Sequence, residues 1–361
     1  MSPLPSPIPP MEPLTVPTAL PLDAGSAPRS DATNSSATWQ QDLARAIRCP
    51  KELLRQLQLL PQHVPDADMK PDSRFPLLVP ISFVERMRPG DAADPLLRQV
   101  LPRAAERTTV PGFLTDAVDD GAARKAPGLL QKYSGRALLI AAGSCSVHCR
   151  YCFRRNYPYS SEPRRIQDWE PALAELRNDT SVTEVILSGG DPLMLTDRRL
   201  TELCERLSDV RHIERLRIHS RLPIVLPSRV TNELLELLSQ IRPQVIMVVH
   251  ANHANEVTGD CSDALQRLLR QGLPVLNQAV LLKDINDSVE ALEALSRALV
   301  NLGVMPYYLH QLDRVSGTAH FEASVGRGSR LIRELRERLP GYAVPQFVQE
   351  VPGQRSKIPI H

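Results

Sequence analysis

Three cysteines lie close together in the chain, at Cys145, Cys149 and Cys152, with the spacing C-x3-C-x2-C. Thiolates are soft ligands that select iron–sulfur clusters, zinc or copper(I). Three thiolates would hold three corners of a four-iron cluster and leave one iron free for a small ligand. A structural zinc site normally has four protein ligands, and His148 is poorly placed to join the same metal because it lies beside Cys149. The spacing therefore indicates an open metal centre, with structural zinc as the alternative.

Two other features could contribute to a reaction. In the segment Gly189-Gly190-Asp191-Pro192, paired glycines allow the backbone to approach a ligand closely, although the same residues also fit an ordinary turn. Lys357 lies near the C-terminus. A lysine amine can form a Schiff base with an aldehyde, but a lysine in such a place is usually a solvated surface charge.

Composition excludes several classes of protein. The 361 residues carry a net charge of +2, and 42% of them are hydrophobic. This balance predicts neither nucleic acid nor a membrane as the main partner. Three of the six cysteines fall within eight residues, a pattern that favours metal binding in a reducing compartment over disulfides. We therefore expect a cytoplasmic protein.

Short apolar runs rich in β-forming residues alternate with amphipathic segments from about residue 136 onward. The predicted strands are 136–141, 184–188, 215–219, 244–249, 275–282, 305–310 and 344–349. The predicted helices are 168–177, 197–208, 231–240, 261–271, 288–301 and 327–338. This alternation predicts an α/β fold with a parallel sheet. Because polar residues follow the strands, a partial (β/α)6-type TIM barrel is favoured, with a doubly wound sheet as the alternative.

Three regions are expected along the chain. Residues 1–36 are rich in Pro, Ser and Ala and predict a disordered tail; a start codon placed too far upstream or an interaction tail are the alternatives. Residues 37–130 predict a helical N-terminal region. Residues 131–361 predict the barrel core, which carries Lys357.

Taken together, the motifs resemble those of the radical S-adenosylmethionine superfamily and, within it, the lysine 2,3-aminomutase family. The resemblance covers the chain from about residue 39 to the end. It is carried by the segments Cys145–Arg155, Ser188–Leu193, His250–Glu256, Pro306–Asp313 and Ser356–Lys357. It implies three cofactors: a [4Fe–4S] cluster, S-adenosylmethionine and pyridoxal 5′-phosphate.

The resemblance also implies roles for particular residues. The cluster ligands would be Cys145, Cys149 and Cys152. The S-adenosylmethionine site would include Gly189, Gly190, Asp191, His250 and Gln278. The pyridoxal phosphate site would include Lys357, which is also the catalytic lysine, together with Tyr133 and Arg136. The substrate would be bound by Arg154 at its carboxylate and by Asp313 and Glu350 at its distal ammonium.

The chain resembles one branch of the family more closely. The resemblance is carried by the segments RIHSRLPIV and MPYYLH, by Glu350 in place of a shorter aspartate, and by a C-terminus four residues beyond Lys357. That branch makes (R)-β-lysine from L-lysine for the modification of elongation factor P. The resemblance then implies elongation factor P and its lysyl ligase as partners, a reductant such as flavodoxin or ferredoxin, and a possible homo-oligomer. An aminomutase for another amino acid, a radical enzyme without pyridoxal phosphate and a zinc-stabilised binding protein are the alternatives.

Overall fold

The computed structural model describes residues 35–361, with side chains from Trp39 onward. The predicted tail 1–36 therefore lies outside the described residues except for its last two, where the first helix begins. Within the described part of the chain, no helix is long and apolar enough to cross a membrane.

Four short helices precede the first strand: α1 (Ser35–Ala44), α2 (Pro50–Gln56), α3 (Ile81–Val84) and α4 (Pro95–Val100). A proline begins both α2 and α4, a position where its missing N–H costs nothing. Asp94 caps α4 because its carboxylate accepts hydrogen bonds from two backbone N–H groups of the first turn, at 2.8 and 3.0 Å. Residues 35–123 thus contain four short helices and no strand longer than an isolated bridge.

All ten strands of the described residues form one sheet whose spatial order is the order of the sequence. They are β1 (Arg124–Ala126), β2 (Leu129–Tyr133), β3 (Arg136–Ala142), β4 (Glu184–Gly189), β5 (Arg215–Ser220), β6 (Gln244–His250), β7 (Val275–Val280), β8 (Met305–His310), β9 (Gln346–Gln349) and β10 (Ile358–Pro359). Strands β3 to β9 are parallel, and antiparallel pairs flank them at both edges. A doubly wound sheet reverses its strand order, so this uninterrupted order is that of an open (β/α) barrel.

Helices cover the outer face of the parallel strands. They are α5 (Glu170–Asn178), α6 (Asp197–Ser208), α7 (Leu222–Val225), α8 (Asn232–Gln240), α9 (Asp260–Arg270), α10 (Val289–Leu302) and α11 (Val325–Arg338). In α6, Leu200, Leu203 and Leu207 recur at helical spacing and are all buried. Each predicted helix is therefore present, and the short α7 is an addition that the sequence did not signal.

The predicted parallel strands agree with the structure to within two residues at each end. Strands β1, β2 and β10 were not predicted from the sequence. Strands β1 and β10 have only three and two residues, too few to show an alternating pattern. Strand β2 follows directly after a turn at Gly128, whose φ is +78°. Missing β2 matters for the site because this strand carries Lys132 and Tyr133.

Alternate residues of the parallel strands face opposite sides of the barrel wall. In β4, Val185 and Leu187 are fully buried in the main hydrophobic core, whereas Ile186 and Ser188 are only half-buried and face the barrel interior. Arg217 and His219 occupy the same inward positions in β5. The interior is thus not filled by its own side chains, and a cavity remains there.

Helix α11 provides a test of how closely the helices pack on the sheet. A Cβ atom at Gly328 would lie 2.3 Å from the ring of Phe347, whereas one at Gly326 on the same helix would meet nothing within 4 Å. We expect Gly328→Ala to lower the free energy of unfolding by about 1–3 kcal/mol through overpacking. The control Gly326→Ala should match the wild type or exceed it by up to ~1 kcal/mol. Urea midpoints measure both, and equal midpoints for the two variants would contradict the described packing.

Candidate active site

One cavity of about 310 Å³ occupies the barrel interior. Its lining extends from the cysteine loop after β3 to the inward side chains of β8 and the residues around β9 and β10. Every site residue predicted from the sequence lines it: Tyr133, Arg136, Cys145, Cys149, Cys152, Arg154, Gly189, Gly190, Asp191, His250, Gln278, Asp313, Glu350 and Lys357. The fold therefore brings together residues that are up to 224 positions apart, from Tyr133 to Lys357.

The N-terminal region holds the cysteine loop in place. His148 N–H donates to the carbonyl of Leu78, and Arg150 N–H donates to the carbonyl of Gln99, each at 2.9 Å. The buried Arg150 guanidinium also donates to Glu106 at 2.9 Å through Nε. Because this loop has little regular structure of its own, these contacts fix where its thiols lie.

All three thiols of the loop are free of disulfides. Burial raises the pKa of Cys145 well above its usual range and that of Cys152 to about 11. Metal ligands must be deprotonated, so a bound metal would release these protons. Cys149 accepts a hydrogen bond at 2.6 Å from the guanidinium of Arg221, which follows β5.

The paired glycines allow the end of β4 to touch the cysteine loop. Gly190 N–H donates to Ala142 at 2.7 Å, and Asp191 N–H donates to Ser144 at 2.9 Å. A Cβ atom at Gly190 would lie 2.4 Å from the Ser144 carbonyl oxygen, and Gly189 has a φ of +115°. Only glycine fits both constraints, so this segment is a close backbone contact and not merely a surface turn.

Asp191 joins the ends of β4 and β5. Its carboxylate accepts hydrogen bonds from Leu193 N–H at 3.0 Å, from the Ser220 hydroxyl at 2.8 Å and from Arg221 N–H at 2.7 Å. Burial raises the pKa of Asp191 to about 6, against the opposing effect of these hydrogen bonds. The residue lines the cavity, but its carboxylate oxygens already accept several hydrogen bonds from within the protein.

His250 and Gln278 are paired in register on neighbouring strands. The His250 Nε2 atom lies 3.0 Å from the hydroxyl of Tyr151, and the two rings stack at 5.7 Å. Burial lowers the pKa of His250 well below its usual range, so the ring is neutral. Tyr151 belongs to the cysteine loop, and the stacking therefore attaches β6 to that loop.

Arg154 is buried, and Asp120 orients it. Its Nε donates to the Asp120 carboxylate at 2.7 Å, and one terminal nitrogen donates to the Ser188 hydroxyl at 3.2 Å. Burial acts to raise the pKa of Asp120, but the charges of Arg154 and Lys132 outweigh it, so the net shift is downward. Asp120 was not predicted from the sequence because acids in a loop are usually exposed.

Lys357, Tyr133 and Glu350 form one contact group. The Tyr133 hydroxyl donates to Glu350 at 2.8 Å, and the Lys357 ammonium donates to the other oxygen of the same carboxylate. The Arg136 guanidinium lies over the Tyr133 ring at 4.6 Å and makes no hydrogen bond or ion pair with another residue described here. Arg136 is therefore available to an anion in the cavity.

Asp313 differs from the other acids of the cavity because its carboxylate has no hydrogen bond or ion pair within residues 35–361. Burial raises its pKa to about 7, the charge of Lys357 acts in the opposite direction, and that of Glu350 adds to the rise. A cation that entered the cavity would find this carboxylate without a partner.

Sequence reasoning missed two polar residues on the inward face of β5. The Nε2 atom of His219 and the Nε atom of Arg217 are buried without a hydrogen-bond partner, and both side chains line the cavity. Buried polar atoms are normally paired, so these atoms suit a polar ligand. Their alternating positions in RLRIHS place both side chains on one face of β5 and could have indicated them in the sequence.

Comparisons with known proteins show which family the chain belongs to. The radical SAM superfamily model matches residues 139–298. The L-lysine 2,3-aminomutase of Escherichia coli (strain K12) is 44% identical over 91% of this chain and 96% of its own length. That of Clostridium subterminale is 34% identical over 89% and 77%. Streptococcus suis SuiB bound to S-adenosylmethionine aligns with 61% of this chain and 51% of its own at 14% identity and a TM-score of 0.47, too distant to bear on the site.

An open (β/α) barrel with three thiols on the loop after its first parallel strand defines a radical S-adenosylmethionine enzyme. The chain belongs to the L-lysine 2,3-aminomutase family of these enzymes, and it is thus an isomerase of the aminomutase type. Family membership implies a [4Fe–4S] cluster, S-adenosylmethionine and pyridoxal phosphate.

The cavity has suitable groups for these cofactors. Its cysteine loop presents three free thiols, which matches a cluster with one open iron. At the other end, Lys357 supplies an amine, Arg136 a guanidinium without an ionic partner, and His219 an orphaned ring nitrogen. A guanidinium suits a phosphate group and an amine suits an aldehyde, so the residues present fit both kinds of group.

The raised pKa of Asp313 predicts a pH dependence of stability. The carboxyl titrates near 3.8 when unfolded and near 7 when folded. Between these values the folded state holds a proton that the unfolded state has lost, so the free energy of unfolding falls as the pH rises from 3.8 to 7. Melting temperatures of cofactor-free protein at pH 5 and pH 8 measure this fall. We expect the melting temperature of Asp313→Asn to fall less between these two pH values than that of the wild type. An equal fall in both proteins would contradict the raised pKa of Asp313.

Proposed function

We propose that this chain is a pyridoxal phosphate-dependent L-lysine 2,3-aminomutase that converts L-lysine to (R)-β-lysine. One observation supports this most strongly: a single cavity contains three free thiols, a lysine amine, a buried arginine and a carboxylate without a partner. These groups match a metal cluster, an aldehyde cofactor and the two charged ends of an amino acid such as lysine.

Arg154 would bind the carboxylate of the substrate. Asp120 accepts from its Nε and Ser188 from one terminal nitrogen, while the other terminal nitrogen has no partner among the described residues. A guanidinium held in this way is already oriented for a carboxylate. Because Ser188 and Cys152 also line the cavity, the bound carboxylate would lie near the cysteine loop.

Asp313 and Glu350 would bind the distal ammonium of the substrate. Both acids line the cavity, and the charge of Glu350 adds to the rise in the pKa of Asp313 that burial causes. An ammonium gains more from a carboxylate in a buried site than in water. This end of the cavity therefore favours an amino acid with a second amine.

When bound, the cluster and S-adenosylmethionine would supply radical chemistry, and pyridoxal phosphate would supply an aldehyde for the amino group of the substrate. Lys357 would anchor the aldehyde, and Tyr133 and Arg136 would lie near the phosphate. Half-buried apolar side chains such as Leu138 and Ile186 line the cavity wall and would exclude water from reactive intermediates.

We further propose that the product is used to modify elongation factor P through a lysyl ligase. The support is the resemblance of segments 217–225 and 305–310 to that branch and the presence of Glu350. A flavodoxin or ferredoxin would supply the electron. All six cysteines are free, which supports a reducing, cytoplasmic setting.

The activity itself is tested with anaerobically prepared protein supplied with pyridoxal phosphate, S-adenosylmethionine, dithionite and L-lysine. We expect β-lysine to form, with the R configuration after chiral derivatisation, and only when all components are present. Protein that contains iron, sulfide and pyridoxal phosphate but forms no β-lysine would contradict the proposal.

The role of Lys357 has a direct test. We expect Lys357→Ala to lose the absorbance of bound pyridoxal phosphate because the proposed anchoring amine is removed, while its iron content stays at the wild-type level. Lys125→Ala, at an exposed lysine of β1, should retain both. If Lys357→Ala kept a borohydride-reducible pyridoxal phosphate adduct, another lysine would be the anchor.

A further inference from the structure

His219 is a cavity residue in which one ring nitrogen has no partner. It occupies an inward position of β5, and its side chain lines the cavity. Its Nε2 atom is buried without a hydrogen bond to any residue of the described part of the chain. A buried polar atom without a partner is costly unless a bound molecule supplies one. The ring is therefore suited to contact with a polar ligand.

The register of the sheet places His219 beside a residue that contacts Arg154. Leu187 of β4 pairs with Ile218 of β5 in a parallel ladder. The next residues along the two strands, Ser188 and His219, are therefore inward neighbours on strands that lie about 4.8 Å apart. The Ser188 hydroxyl accepts from one terminal nitrogen of Arg154 at 3.2 Å. The imidazole and the guanidinium thus border the same part of the cavity.

The charges around His219 favour an anion. Burial lowers the pKa of His219 well below its usual range, and the charges of Arg217 and Lys357 act in the same direction. The ring is therefore neutral and keeps one N–H that can donate a hydrogen bond. Arg217 is already paired with Glu184, whereas one terminal nitrogen of Arg154 has no partner between residues 35 and 361. An anion that bound this nitrogen would also lie near the imidazole.

We propose that His219 is a second donor to the α-carboxylate of the substrate, beside Arg154. The guanidinium supplies the positive charge, and the neutral imidazole donates its N–H to a carboxylate oxygen. Two donors from different elements of the fold fix the orientation of the carboxylate as well as its position. This inference rests on the proposed function, in which Arg154 alone binds the carboxylate, and adds a residue of β5 to that subsite.

The test compares L-lysine with cadaverine, the diamine that lacks the carboxylate. Pyridoxal phosphate-loaded enzyme, without S-adenosylmethionine or reductant, is incubated with each ligand and then reduced with borohydride. Mass spectrometry gives the fractions of cofactor that are trapped on the ligand and on Lys357. The ratio of the half-saturating concentrations, cadaverine over L-lysine, isolates recognition of the carboxylate, because damage to the amine or cofactor contacts shifts both concentrations together.

Three variants decide whether the N–H of His219 contributes to this ratio. We expect His219→Leu to lower the ratio by about tenfold to a hundredfold, the effect of losing a hydrogen bond to a charged group. His219→Gln keeps a side-chain N–H and should stay within about threefold of the wild type. The matched control is His310→Leu, at a second neutral histidine that lines the cavity from β8, and its ratio should also stay within about threefold.

The stability of the same variant separates a ligand-binding role from a structural one. Because the Nε2 atom of His219 has no partner in the cofactor-free protein, its replacement by an apolar side chain removes no hydrogen bond of that atom. We expect the melting temperature of cofactor-free His219→Leu to equal or exceed that of the wild type. A clear fall would show that the ring supports the fold and would overturn the inference.

Other outcomes separate this inference from the proposed function. An unchanged ratio in His219→Leu, or an equal loss in His219→Gln or His310→Leu, would overturn the inference, while β-lysine formation by the wild type would still support the function. Weaker binding of pyridoxal phosphate to His219→Leu with an unchanged ratio would assign the ring to the cofactor instead. A wild type that did not prefer L-lysine to cadaverine would overturn the inference, and one that also formed no β-lysine would overturn the proposed function.

Discussion

The position of the cysteine loop is the constraint on which the rest of this structure depends. Three thiols must face one cavity although the loop that carries them has little regular structure. Backbone hydrogen bonds to the end of β4 hold the loop on one side, and hydrogen bonds to Leu78 and Gln99 hold it on the other. The N-terminal helices are therefore part of the active site's support. The close approach of the loop to the end of β4 also requires a residue without a side chain at Gly190.

A second property of the fold determines what the site can hold. The inward side chains of β4 and β5 leave the barrel hollow, so the cavity continues from the cysteine loop to Lys357. A barrel whose interior was packed with layers of side chains could bind ligands only at the C-terminal ends of its strands. Here one continuous space borders both the three thiols and Lys357.

Much of the fold could be predicted from the sequence because the parallel strands are apolar runs that lie between segments with clear helical spacing of apolar residues. The candidate site was predicted largely through the family motifs, and all its residues line the one cavity. The omissions have physical reasons. Asp120 and Lys132 carry no local pattern, and only tertiary structure places them beside Arg154 and Glu350. Likewise, no sequence pattern indicates that the Asp191 carboxylate is engaged by Ser220 and Arg221.

The proposed function requires one cavity that holds both an iron–sulfur cluster and pyridoxal phosphate. The most direct measurement is the content of iron, sulfide, zinc and pyridoxal phosphate in the same anaerobic preparation of the full chain. We expect about four irons and about four sulfides per chain, with about one pyridoxal phosphate for the single anchoring lysine. Zinc in place of iron, or a full cluster in protein that binds no pyridoxal phosphate, would contradict it.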